Sequence, residues 1–118
     1  MKLNKNMNEN MNEKEKIIDY IQFQLFRGLI DYKIYYKAIN LGCVLIDFGL
    51  KNIDCCFSDD SFMFCCDNGN DHLEFEIVKN NIEIFYLNRK SNEIFEDIIN
   101  SDFIFSDMVV EKMKIFIS

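Results

Sequence analysis

The chain has 118 residues, room for one domain with a real hydrophobic core but not for two. Apolar residues make up 49 % of it, yet no stretch approaches the roughly 18 uninterrupted apolar residues that a bilayer-spanning helix needs, so no membrane partner is expected. The net charge is −7, and it is concentrated: residues 43–88 carry nine acids against Lys51 and Lys79, while the remainder balances at eleven of each sign. An acidic centre lacks the basic footprint of a nucleic-acid binder. It suits a basic protein partner, because complementary fields steer association, the plainer alternative being an ordinary solvated surface.

The N-terminal stretch MKLNKNMNENMNEKEK has no apolar core of the secretory kind, and residues 1–12 read as a flexible polar tail. Without a signal, the five cysteines are expected as reduced thiols in a cytoplasmic protein, and their odd number does not suit a disulfide framework. From Asn12, which can cap, Ile18, Ile21, Leu25, Leu29, Tyr32, Tyr36 and Ile39 recur at helical spacings. Gly28 divides this run into one helix or two, and Gly42 is the expected stop.

Between residues 43 and 88 the period changes to two. Val44 to Leu50, Ile53 to Phe57, Phe62 to Cys66, Leu73 to Ile77 and Ile82 to Tyr86 read as five strands of a meander. The turns fall at Lys51-Asn52, Ser58–Ser61, Asn68-Gly69 and Asn80-Asn81. Two-residue loops at the last two sites pair Phe64 with Leu73 and Ile77 with Ile84, which places the apolar sets on one common face. After Arg89-Lys90 the pattern reads as helical again. A short helix is predicted with Ile94, Phe95, Ile98 and Ile99 on one side, and a second one after Asp107, with Phe103 to Phe105 between them as an alternative extended segment. The predicted fold is α+β: an N-terminal helix or helix pair, a five-stranded antiparallel meander, and C-terminal helices packed on one sheet face. Residues 13–118 form a single domain in this reading.

The stretch "DCCFSDDSFMFCCD", residues 54–67, is the one place that looks like chemistry. Strand alternation splits each Cys pair between two faces, whereas structural zinc sites space their thiolates two to four residues apart on a turn. Two hairpin registers match the apolar faces. In one, Phe57 faces Phe62 and Cys56 faces Met63. In the other, Cys56 faces Cys65 and a row Asp47, Cys56, Cys65, His72 crosses the sheet. Cys56, Cys65 and His72 are therefore the candidate metal ligands, but no metal and no cofactor is the preferred expectation, since the ends of such a row lie too far apart for one tetrahedral ion. Cys65 beside His72 resembles half of a thiol nucleophile pair, but no third member or oxyanion hole accompanies it, so no catalytic residue is assigned. The outer sheet face offers a better argument. It is expected to display Asp47, Asp54, Met63, Glu74, Glu76, Glu83, Phe85 and Leu87, apolar anchors among acids, as a partner-binding surface unless a C-terminal helix covers it.

At "GLIDYKIYYKAINLG" (residues 28–42), "IEIFYLN" and "NEIFEDIIN" the chain resembles in layout the SUKH superfamily of bacterial immunity proteins. Asp31-Tyr32, Asn40 and Gly42 sit where that family often has an acidic-Tyr step and an Asn-Gly helix end. Leu29-Ile30 stands where a Pro is expected, and Leu41 interrupts the Asn-Gly pair. The resemblance implies a non-enzymatic immunity protein that binds and neutralises a cognate toxin domain, and a basic nuclease toxin would suit the acidic sheet. A phage-encoded inhibitor, such as an anti-CRISPR protein, is the alternative of the same kind, and a metal- or thiol-dependent redox module is the alternative of another.

Overall fold

The computed structural model of the chain describes residues 2–58, 60–100 and 105–118. Asp59 of the Ser58–Ser61 turn, and Phe103 and Ile104 of the alternative extended segment, lie outside the described residues. The order is α1 (Lys2–Phe26), α2 (Tyr32–Phe48), β1 (Asp54–Ser58), β2 (Ser61–Asp67), β3 (Asp71–Val78), β4 (Asn81–Asn88), β5 (Glu93–Asn100) and α3 (Asp107–Ile117). The five strands form one antiparallel sheet in the order β1-β2-β3-β4-β5, a simple meander. The α+β class, the N-terminal helix pair and the meander agree with the sequence reading.

Three elements differ from that reading. The first helix begins well ahead of Asn12, because no Gly or Pro interrupts the chain before Gly28. The second helix runs through Gly42, and Val44 to Phe48 are helical rather than a strand. Its buried positions, Ile34, Ala38, Leu41, Gly42, Leu45 and Ile46, follow the helical repeat across the supposed stop. Gly42 is a packing residue: a Cβ there would lie 3.1 Å from Ile17 Cγ2 and 3.2 Å from the Phe64 ring. The actual stop is Gly49, left-handed at φ 119°, whose N–H returns to the carbonyls of Leu45 and Ile46. At the other end of α2 the Asp31 side chain accepts from the Ile34 N–H at 2.8 Å and caps the helix. Thirdly, Glu93–Asn100 is the fifth strand rather than a helix, and α3 is the one C-terminal helix among the described residues. Asn88 Oδ1 accepts from Lys90 and Ser91 N–H, and Asn92 adopts φ 59°, which turns the chain back into β5.

One face of the sheet carries the core. Phe62, Phe64, Leu73, Phe75, Ile77 and Ile82 are fully buried there, each worth about 1.5–3 kcal/mol of burial for a side chain of this kind. Helix α1 reaches it through Tyr20, whose ring meets Phe57 and Phe62. Helix α2 reaches it at Gly42 over Phe64. Helix α3 closes the same side, burying Val109 and Met113 and laying Lys112 over the Tyr86 and Phe95 rings. Lys112 is neutralised there by an ion pair with Glu93. Tyr86, buried in this layer, donates its hydroxyl to Asp71 Oδ1 at 2.7 Å. No helix among the described residues is long and apolar enough to cross a membrane.

Candidate recognition face

Because paired residues in an antiparallel ladder share a face, the register defines the surface turned away from the helices. Three rows cross it. The first is Asp54, Cys65, Glu74, Phe85 and Glu96; the second is Cys56, Met63, Glu76, Glu83 and Ile98; the third is Asp67, His72, Leu87 and Ile94. The helices pack on the opposite side, so the C-terminal helix does not cover Phe85 and Leu87. Ile94 and Ile98 are 60 % and 62 % exposed on this face, and Phe85, Leu87 and Met63 are half-buried among their neighbours. Between β3, β4 and β5 lies a shallow depression of about 270 Å³ bordered by Glu74, Glu76, Glu83, Phe85, Glu96 and Ile98.

Six acids, Asp54, Asp67, Glu74, Glu76, Glu83 and Glu96, occupy these outward positions, and none of the outward positions in the three rows is Lys or Arg. Glu76 and Glu83 stand directly opposite each other across β3 and β4, with Glu74 on the diagonal. Like charges placed so are unfavourable in the free protein.

Seven of the eight predicted partner-binding residues, Asp54, Met63, Glu74, Glu76, Glu83, Phe85 and Leu87, lie on this face. Asp47 does not. It belongs to α2 and pairs with Lys14 of α1 at 2.6 Å, because the segment read as a first strand is helical. Asp67, Ile94, Glu96 and Ile98 belong to the face and escaped the sequence reading. The three in β5 were hidden by its helix-like apolar repeat, although the alternation Ile94, Glu96, Ile98 was available as a signal.

The hairpin takes the first of the two registers, Phe57 opposite Phe62 and Cys56 opposite Met63, and so Cys56 does not face Cys65. The Asn-Gly loop is wider than the two residues read from sequence: Asp67 pairs with His72 and Phe64 with Phe75. Asn68 Oδ1 accepts from the Asn70 and Asp71 N–H groups and shapes a four-residue turn. The next turn moves likewise, pairing Ile77 with Ile82 around Lys79 at φ 56°. Both shifts are by two residues, so every side chain keeps its face.

At one corner these registers assemble a polar cluster. His72 Nδ1 meets Asp67 Oδ2 at 2.8 Å, and Nε2 meets Glu74 Oε2 at 2.7 Å. Cys65 Sγ lies 3.7 Å from the same Nε2. Arg89 grips both oxygens of Asp67, at 3.0 and 2.6 Å, and the Gly69 N–H adds a third donor at 2.8 Å. Arg89 first, then Gly69 and His72, hold the Asp67 carboxyl well below the usual carboxylate range. Burial opposes a charged imidazole at His72, but the Glu74 and Asp67 carboxylates together outweigh it and hold its pKa above the ordinary value. The thiols move the wrong way for nucleophiles. Burial, then Glu74, raises both Cys65 and Cys56, and burial pushes Cys55 and Cys66 up to about 12. No known protein family, curated protein or solved structure matches the chain.

Proposed function

We propose that the chain is a binding protein whose open sheet face occludes a basic protein, in the manner of an immunity protein neutralising a toxin domain. The observation that carries this reading is the uncovered face itself, where six carboxylates share the three outward rows with Phe85, Leu87, Ile94 and Ile98 and no Lys or Arg. Apolar anchors within a charged rim are the usual anatomy of a recognition surface, and the negative field supplies steering toward a cationic partner. The Glu76–Glu83 opposition supports it further, since a basic side chain from a partner relieves a repulsion that the free protein bears. The elevated thiol pKa values on the same face favour binding over thiol catalysis. The layout resemblance to SUKH immunity proteins narrows the partner to a toxin domain.

Affinity capture on the immobilised chain tests the proposal, run beside a Glu74→Lys, Glu76→Lys, Glu83→Lys variant at low and high salt. The wild type is expected to retain a basic protein that the variant does not hold and that salt releases. A bound protein that is indifferent to both charge reversal and salt refutes the reading.

A further inference from the structure

We propose that Cys65, His72 and Glu74 form a binding site for a divalent transition-metal ion of the zinc class. The three side chains project from adjacent strands onto one face: Cys65 and Glu74 are directly paired across β2 and β3, and His72 is two residues from Glu74 on β3. Their ligand atoms all lie within 4.8 Å of one another. Zinc bonds of about 2.0–2.3 Å in tetrahedral geometry separate ligand atoms by about 3.3–3.6 Å. The Cys65 Sγ to His72 Nε2 distance of 3.7 Å lies about 0.1 Å beyond that range. The 2.7 Å contact between Nε2 and Glu74 Oε2 must open by roughly 0.6 Å to admit the ion. Glu74 is partly exposed on the open face, so its carboxylate is the ligand that has to move.

The surroundings are built as for a metal-binding histidine. Asp67 receives Nδ1–H and is itself held by Arg89 and Gly69, which fixes the ring and directs Nε2 toward Cys65 and Glu74. A carboxylate behind the histidine is the usual outer partner of a zinc-bound imidazole. Core pairs on the reverse of the same strands, Phe64 with Phe75 and Cys66 with Leu73, lock the register and therefore the ligand spacing. The donor set is one sulfur, one imidazole nitrogen and one carboxylate oxygen, which selects zinc, cobalt or nickel over magnesium and calcium. The local field agrees. Asp54, paired with Cys65 across β1 and β2, and Asp67 behind His72 add carboxylates that favour a dication, and coordination exchanges the protons on Sγ and Nε2 for the ion, releasing them to solvent. Three protein ligands leave a fourth position on the open face for water.

The site shares Glu74 with the proposed partner surface but does not rest on the partner reading, and it is tested on the full chain alone, reduced and freed of metal with a chelator. Titration with Co²⁺ is expected to produce a thiolate-to-metal charge-transfer band that saturates at one equivalent and is displaced by Zn²⁺. Cys65→Ser should abolish the band, Cys56→Ser should leave it, and Asp67→Asn should weaken binding roughly 10- to 100-fold. Zn²⁺ should raise the melting temperature of the wild type and of Cys56→Ser but not of Cys65→Ser, whose folding is checked by its urea midpoint. No band at one equivalent, or a band that Cys65→Ser retains, overturns the proposal.

Discussion

Glu76 and Glu83 face each other across the middle of the sheet, and replacing Glu83 by Lys measures what the acidic face costs the fold. A directly opposed like pair is unfavourable, and an opposite pair favourable, by about 0.2–1 kcal/mol each, so reversal should stabilise the free protein by about 0.4–2 kcal/mol. Glu74 lies on the diagonal from position 83, within reach of a long Lys side chain, which favours the upper half of that range. For a chain of this size the gain corresponds to a rise in melting temperature of about 2–8 °C. Urea unfolding should show a higher midpoint with an unchanged slope. The gain should shrink at 1 M salt, where screening acts within about 3 Å, and should fall away in a Glu76→Gln background. The same substitution should weaken the basic partner's binding, so stability and recognition move in opposite directions. A destabilised Glu83→Lys, or a gain indifferent to both salt and Glu76→Gln, would refute the argument that these carboxylates oppose each other.

Two further outcomes test the core. Gly42→Val should destabilise the fold by about 1–3 kcal/mol of overpacking and so lower the urea midpoint, because the new methyl groups enter the space held by Ile17 and Phe64; an equal or higher midpoint would contradict the packing role of that glycine. Tyr86 should titrate late: burial, then its hydrogen bond to Asp71, raises the phenol from 10.0 to about 12. A raised acid stabilises the fold fully below its unfolded pKa of 10.0, and that contribution is lost as pH climbs through about 12. The phenolate absorbance difference between wild type and Tyr86→Phe should therefore show one group ionising near the top of that window, and ionisation of Tyr86 near its ordinary value would contradict the buried hydrogen bond.

The segments misread from sequence share a cause. In β5 the adjacent pairs Ile94-Phe95 and Ile98-Ile99 repeat every four residues, as a helix face would. The strand has apolar residues on both faces: Phe95 and Ile99 turn toward the core, while Ile94 and Ile98 lie on the open side. In α2 the alternation Val44, Ile46, Phe48 imitates a strand when the helix is ended at Gly42. With the helix continued, Leu41, Leu45 and Ile46 fall on its buried stripe and Val44 is exposed. Local periodicity cannot separate these cases, since a strand with apolar residues on both faces and a helix write similar patterns.

The outward and inward sets of residues 54–88 were determined by the sequence alone, whereas the Ser58–Ser61 hairpin had two registers that matched its apolar faces, and the structure selects the one with Phe57 opposite Phe62. Alternation and turn chemistry act within a few residues and survive any register shift of two, which is why Glu74, Glu76, Glu83, Phe85 and Leu87 were placed correctly although the two following turns were displaced. The concentration of acids in the middle of the chain was equally legible. Only the tertiary structure decided that α1, α2 and α3 all cover one face and leave the acidic one open. It alone also joined Asp67, His72, Glu74, Cys65 and Arg89 into one cluster. That cluster depends on diagonal neighbours, on a turn shaped by the Asn68 side chain, and on an arginine 20 residues from the glycine carbonyl it meets. Distances of this kind are settled when the sheet closes and its core pairs lock.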